Sequence, residues 1–319
     1  MEHSSQAAID SDKPAGDLAG RLAALARLFA SPIADADTLH FAGLDAENIA
    51  TADDDDRAAE HYRVLTHDLV PDAGVFFETD GMLGGPLARD LHDLMMGHGF
   101  EPDESARSTG HIVNELGFMA HLVRSEQEDA LATFWTGHAA GWMPLVAMVL
   151  ERSDSPPFEA LGRALDQALA DVAVMAKATT PDGVDHAQTP MPAALPETDL
   201  DLDEPKVGLS RIGRFLSIPA HSGLALTRSR ISWIGRAFRL PTGFGSRARI
   251  VEGLLRSGAQ YEGWSDVCNA LIEECDRTQG VWESAPVPAY WQDLWTQRLA
   301  FTRTILENMR SAQGEGSHV

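Results

Sequence analysis

The chain reads as all-α. Apolar residues recur at three- and four-residue intervals in one segment after another, and no stretch alternates apolar with polar residues as a half-buried strand does. Proline and glycine fall where such segments should start and stop. At 319 residues the chain is long enough for one large domain or two ordinary ones with a real core.

Residues 1–17 are small, polar and acidic, and are expected to form a flexible tail. From Leu18, LAGRLAALARLFASP carries a stripe of Leu22, Leu25, Leu28 and Phe29 and ends at Pro32. The acids Asp53 to Asp56 precede RAAEHYRVLTHDL, where the helix dipole favours negative charge; Tyr62 and Leu65 share one side of that helix. VPDAGVFFETDGMLGG holds too many turn formers for a helix, and Phe76 and Phe77 are expected to anchor it as a loop. Its glycines follow no strand and make no GxGxxG, so they read as turn residues, not as a phosphate cradle. PLARDLHDLMMGHGF places Pro86 in a first turn, Gly99 at an end, and Leu87, Leu91, Leu94 and Met95 on a buried face.

STGHIVNELGFMAHL follows. Ser108 or Thr109 can cap a helix whose buried face is Ile112, Leu116, Met119 and Val123, with His111 and Glu115 four apart on another face. FWTGHAAGWMPLVAMVL reads as a second helix with His138 and Trp142 again four apart. SPPFEALGRALDQALADVAVMA, with Pro157 near its start, completes a helical unit over residues 18–178.

Residues 179–206 form an acidic linker interrupted by Pro181, Pro190, Pro192, Pro196 and Pro205, the best domain boundary in the chain. Beyond it the charge reverses. Arg211, Arg214, Arg228, Arg230, Arg236, Arg239, Arg247, Arg249 and Arg256 face one acid, Glu252. Residues 207–311 are thus a second, smaller, Arg-rich helical region, and 312–319 a polar tail.

A net charge of −23 argues against a surface that seeks nucleic acid or anionic lipid. No apolar run is long enough for membrane insertion, the opening residues have no signal-peptide pattern, and two cysteines suit a reducing compartment, so a cytoplasmic protein is expected. Cys268 and Cys275 are seven residues apart, roughly 10 Å along a helix, too far for a disulfide.

His111, Glu115, His121 and His138 invite a metal reading, but the chain has no HExxH and no Cys/His cluster. His121 lies about 280° round the helix from His111. A hydrogen-bonded polar seam accounts for these residues without a metal, and nothing supplies a nucleophile or oxyanion hole to go with them. No enzyme activity, catalytic residue or cofactor is therefore assigned. The arginine block admits three readings. It can contact nucleic acid with Phe215, Trp233 and Phe238, or pack on the acidic N-terminal unit. In the third, SRIGRFLSIPAHSGLAL mimics a twin-arginine leader and occupies a groove of its own chain.

Residues 18–178 resemble the TorD/DmsD/NarJ family of chaperones for molybdopterin-containing oxidoreductases. HIVNELGFMAHL, FWTGHAAGWMPLV and PPFEALGRAL match its helices in order and spacing, and Tyr62, Leu65 and VPDAGVFFETDGML echo its upstream elements. The family's acid before the histidine is Gly110 here, with EPDE displaced to 101–104, so Asp103 or Glu115 would supply negative charge near His111. The resemblance implies an all-helical receptor for the leader or N-terminal peptide of an apo-molybdopterin oxidoreductase catalytic subunit. Such a receptor holds its client through cofactor insertion, before export or assembly. It implies client-peptide contacts at Tyr62, Leu65, Phe76, Phe77, His111, Glu115, His138 and Trp142. A homodimer by helix swapping through the linker is compatible with this reading. The alternative is an adaptor or regulatory protein that binds a partner or nucleic acid through the Arg-rich region.

Overall fold

Helices account for the architecture. The structure, a computed structural model, describes residues 15–32, 36–44, 53–106, 108–179, 200–202, 204 and 207–316. Among them there is no strand, only an isolated antiparallel bridge between Asp72 and His111. The helices are α1 (Ala15–Ala30), α2 (Ala36–Phe41), α3 (Asp54–Tyr62), α4 (Ala73–Phe77) and α5 (Gly85–Gly97). Next come α6 (Ile112–Arg124), α7 (Glu128–Gly137), α8 (Met143–Glu151) and α9 (Pro156–Thr179). The remainder supplies α10 (Leu209–Ser217), α11 (Pro219–Ser222), α12 (Arg228–Ala237), α13 (Arg247–Gln260), α14 (Trp264–Ser284) and α15 (Ala289–Gly316). No described helix is long and apolar enough to cross a membrane.

The local reasons are those of the sequence, with four corrections. Asp53 caps α3 by accepting from the Asp56 N–H at 2.8 Å, with three further acids in the first turn. VPDAGVFF is not a loop throughout. Asp72 caps the short helix α4, accepting from the Gly74 N–H at 2.9 Å, and all five residues of α4 are buried. The cap of α6 is neither Ser108 nor Thr109 but His111, whose Nδ1 accepts from the Val113 N–H. FWTGHAAGWMPLVAMVL is not one helix. It breaks at His138, turns through a 3-10 segment at Ala139–Gly141 and restarts with Pro144 in the first turn of α8. Finally, α15 continues through Gly316, past the point where a tail was expected.

The tail at 1–14 and most of the linker at 179–206 lie outside the described residues. The helices on either side of that linker share one hydrophobic core, which runs from Leu18 to Met309. The Trp291 indole donates to the Thr136 carbonyl at 2.9 Å and the Trp295 indole to the Gly141 carbonyl at 2.8 Å. A Cβ on Gly141 would stand 2.5 Å from the Trp291 ring, so only glycine lets α15 come this close. Ser229, at the start of α12, bonds Asp68 through its N–H (2.8 Å) and its hydroxyl. His221 of α11 bonds the Thr79 carbonyl at 2.9 Å.

Three arginines of the block pair with acids of their own half. Arg230 donates to Glu274 at 2.6 Å, Arg211 to Glu204 at 2.6 Å and Arg256 to Glu252 at 2.7 Å. Across the halves, the N-terminal Arg152 reaches Glu274 at 3.4 Å, and the charge of Asp68 acts on Arg247. Cys268 and Cys275 are both buried and free, and burial pushes each thiol up to about 12.

Candidate functional site

Two arrangements of polar groups hang on α6. The first is a sealed seam. Glu115 and His138 are fully buried, with Glu115 Oε1 2.8 Å from His138 Nε2. The Trp142 indole N–H donates to Glu115 Oε2 at 3.2 Å. Burial pushes the Glu115 carboxyl above its ordinary range, opposed by the charge and hydrogen bond of His138. Asp72, also buried, is pushed up for the same reason, opposed by hydrogen bonds from Ser108 and Gly74.

Aromatic rings close the seam. Phe77 meets His138 edge-on at 5.7 Å and stacks on Trp291 at 5.3 Å, while Phe76 packs on Trp142 at 5.4 Å and Phe134 on His138 at 5.3 Å. Trp295 stacks on Trp282 behind them at 5.6 Å. This is a polar layer sealed inside a core, in which the Glu115 carboxyl has its partners while His138 Nδ1 is buried with none. Among the described residues, no group of three or more His, Cys, Asp or Glu side chains is placed to hold a metal ion.

The second arrangement is open. A cleft of about 300 Å³ lies between α1, the end of α3 with the π-helical turn Arg63–Asp68 that follows it, and the loop before α6. Leu65, Val70 and Phe29 give it apolar walls, and Tyr62, Leu83, Asp103 and His111 stand around it. Tyr62 is 59% exposed, whereas Leu65 is buried at the floor and His111 half-buried. The loop is tied down by buried Asn114, whose Oδ1 accepts from the Asp103 N–H at 2.7 Å and whose amide donates to the Ser108 carbonyl at 3.0 Å. The Ser105 hydroxyl and N–H hold the Asp103 carboxyl below its ordinary range, so the rim carries a firm negative charge.

The residues singled out from the sequence therefore divide. Tyr62, Leu65 and His111 come together at the cleft, with Asp103 beside them. Phe76, Phe77, Glu115, His138 and Trp142 are sealed in the core, away from the cleft. His111 and Glu115 do not pair through their side chains: Glu115 turns to His138 and Trp142. No residue of SRIGRFLSIPAHSGLAL lines the cleft, so that segment does not occupy it.

Asp72, Asn114 and the tryptophans of α15 were not found from the sequence. The Pro-Asp pair of VPDAG was the available signal for a cap at Asp72. Gly110 gains meaning here, because a Cβ on it would lie 3.5 Å from Asp72 Oδ1. Asp72, from another segment, thus stands beside the residue that precedes His111 and bridges to His111 itself. No family model, curated protein or solved structure matches the chain.

Proposed function

We propose that this protein is a cytoplasmic chaperone that receives the N-terminal or leader segment of a molybdopterin oxidoreductase subunit, as its resemblance to the TorD/DmsD/NarJ family implies. One observation carries the reading: Tyr62, Leu65, Asp103 and His111, drawn from three separate stretches of sequence, line one open cleft with apolar walls and an acid at its rim. A leader of this kind presents arginines followed by an apolar helix. Its receptor therefore needs a carboxylate beside an apolar groove. The sealed seam acts as support for the cleft, fixing the helix that His111 caps. No catalytic step is assigned to the protein.

The test uses the full chain, because both halves contribute to the core. A fluorescent twin-arginine leader peptide is titrated and its anisotropy followed. Binding is expected to weaken with salt. Tyr62→Ala and Asp103→Asn together should weaken it about tenfold or more, while unfolding stability stays within about 0.5 kcal/mol per substitution. Absence of binding, or binding indifferent to both substitutions, would overturn the reading.

A further inference from the structure

The chain-wide charge hides a surface of opposite sign. From Arg236 to Ser246, between α12 and α13, every residue but Leu240 is at least partly exposed, and the run holds Arg236, Phe238, Arg239 and Phe244 with no acid. Phe244, at the apex, is 98% exposed, and Phe238 is 36% exposed. An apolar ring held this far into water is unusual enough to need a reason.

The turn is built to hold it there. Gly243 and Gly245, on either side of Phe244, take left-handed φ values of +76° and +124°. The Arg228 guanidinium donates to the Gly245 carbonyl, and the stem of Arg249 runs alongside, 3.3 Å from where a Gly245 Cβ would be. Thr242 is wedged between the two helices: a Cβ on Gly235 would meet its methyl at 2.5 Å, and one on Gly253 would collide with its carbonyl. The acids nearby are already engaged, Glu252 by Arg256 and Asp68 by Ser229, and, in the pocket that Arg236 borders, Glu274 by Arg230 and Arg277 and Asp154 by Arg63.

We propose that this turn docks the protein onto an anionic lipid bilayer. Phe244 enters the interfacial layer with Phe238 at its flank, and Arg228, Arg236, Arg239 and Arg249 lie at the level of the lipid phosphates. Shape selects lipid over nucleic acid. Strand binding uses rings ranged along a basic groove, whereas Phe244 alone projects fully from this turn and Phe238 is far less exposed. The acidic remainder of the protein does not forbid this. At physiological ionic strength charges beyond about 8 Å are largely screened, so the bilayer senses the turn and its arginines. The contact is peripheral, in keeping with the lack of a membrane-crossing helix among the described residues. It stands independently of the peptide-binding reading.

The experiment is co-sedimentation of the full chain with vesicles of phosphatidylcholine alone and of phosphatidylcholine mixed with phosphatidylglycerol. Binding is expected to the mixed vesicles only, and to fall as salt rises. Phe244→Ser and, separately, Arg236→Gln with Arg239→Gln should each weaken it about tenfold or more, while Phe244→Trp retains it. These side chains are exposed, so an unchanged unfolding midpoint verifies that each variant is folded. No sedimentation with mixed vesicles, equal sedimentation of Phe244→Ser, or Phe244-dependent binding of a single-stranded oligonucleotide in place of vesicles would each overturn the proposal.

Discussion

The sealed seam and the open cleft begin one turn apart on the same stretch of chain and meet opposite fates. Glu115 faces inward to His138 and Trp142, each carboxyl oxygen within hydrogen-bond distance of one of them, with aromatic rings around the pair. His111 stands just before the helix, where its ring caps the backbone and borders a solvent-filled groove. The difference teaches that a polar residue's role is set by what covers it. Over the seam lies Phe77, backed by Trp291 and Trp295, which arrive from more than 150 residues further along the chain.

Substitutions can break this comparison at either end. The largest effect is expected from Glu115→Ala, which leaves His138 Nε2 and the Trp142 N–H buried without a partner and should lose about 3–5 kcal/mol of unfolding free energy. Removing His111 should lose far less, on the order of a helix cap at about 1 kcal/mol. Denaturant titration of both variants decides the matter, and equal losses would erase the distinction between seam and cleft. Gly141→Ala comes next. Its methyl would press into the Trp291 ring and should lower stability by about 1–3 kcal/mol, read as a fall in Tm.

The smallest effect is a slope. Burial raises the Glu115 carboxyl in the folded protein above its value in the unfolded chain. Folding therefore takes up a proton in the window between the two values, and stability is full below the unfolded value and lost as pH rises through the window. Glu115→Gln, which cannot titrate, should flatten the stability–pH curve there by up to about 1.4 kcal/mol per pH unit. A curve identical to that of the parent would mean that Glu115 is ionised throughout.

Local physics was legible in the chain. The stripes Leu22–Leu25–Phe29 and Ile112–Leu116–Met119 are buried as their periodicity requires, and the acids Asp53 to Asp56 start a helix. What was not legible depended on chain geometry outside regular helix. Four-residue spacing places two residues on one face only when both are helical. His111 is a cap and His138 sits at a break with φ −140°, so neither pairing drawn from spacing holds. Phe76 and Phe77 could be read as anchors but not as core, because their partners Trp142, Trp291 and Trp295 come from remote segments. Trp291 and Trp295 themselves look like any apolar pair four apart on a helix, with nothing local to announce the socket at Gly141.

That socket has a consequence in time. The two indoles that fill it lie more than 150 residues further along the chain than the loop they cover, so the N-terminal helices emerge from the ribosome with one aromatic face bare and remain so until that stretch has been made. Translation stopped before residue 291 yields a chain whose N-terminal helices lack their cover and carry the seam open to water. Only a chain that has reached Trp295 closes it, and the seam thereby distinguishes such a chain from a shorter one.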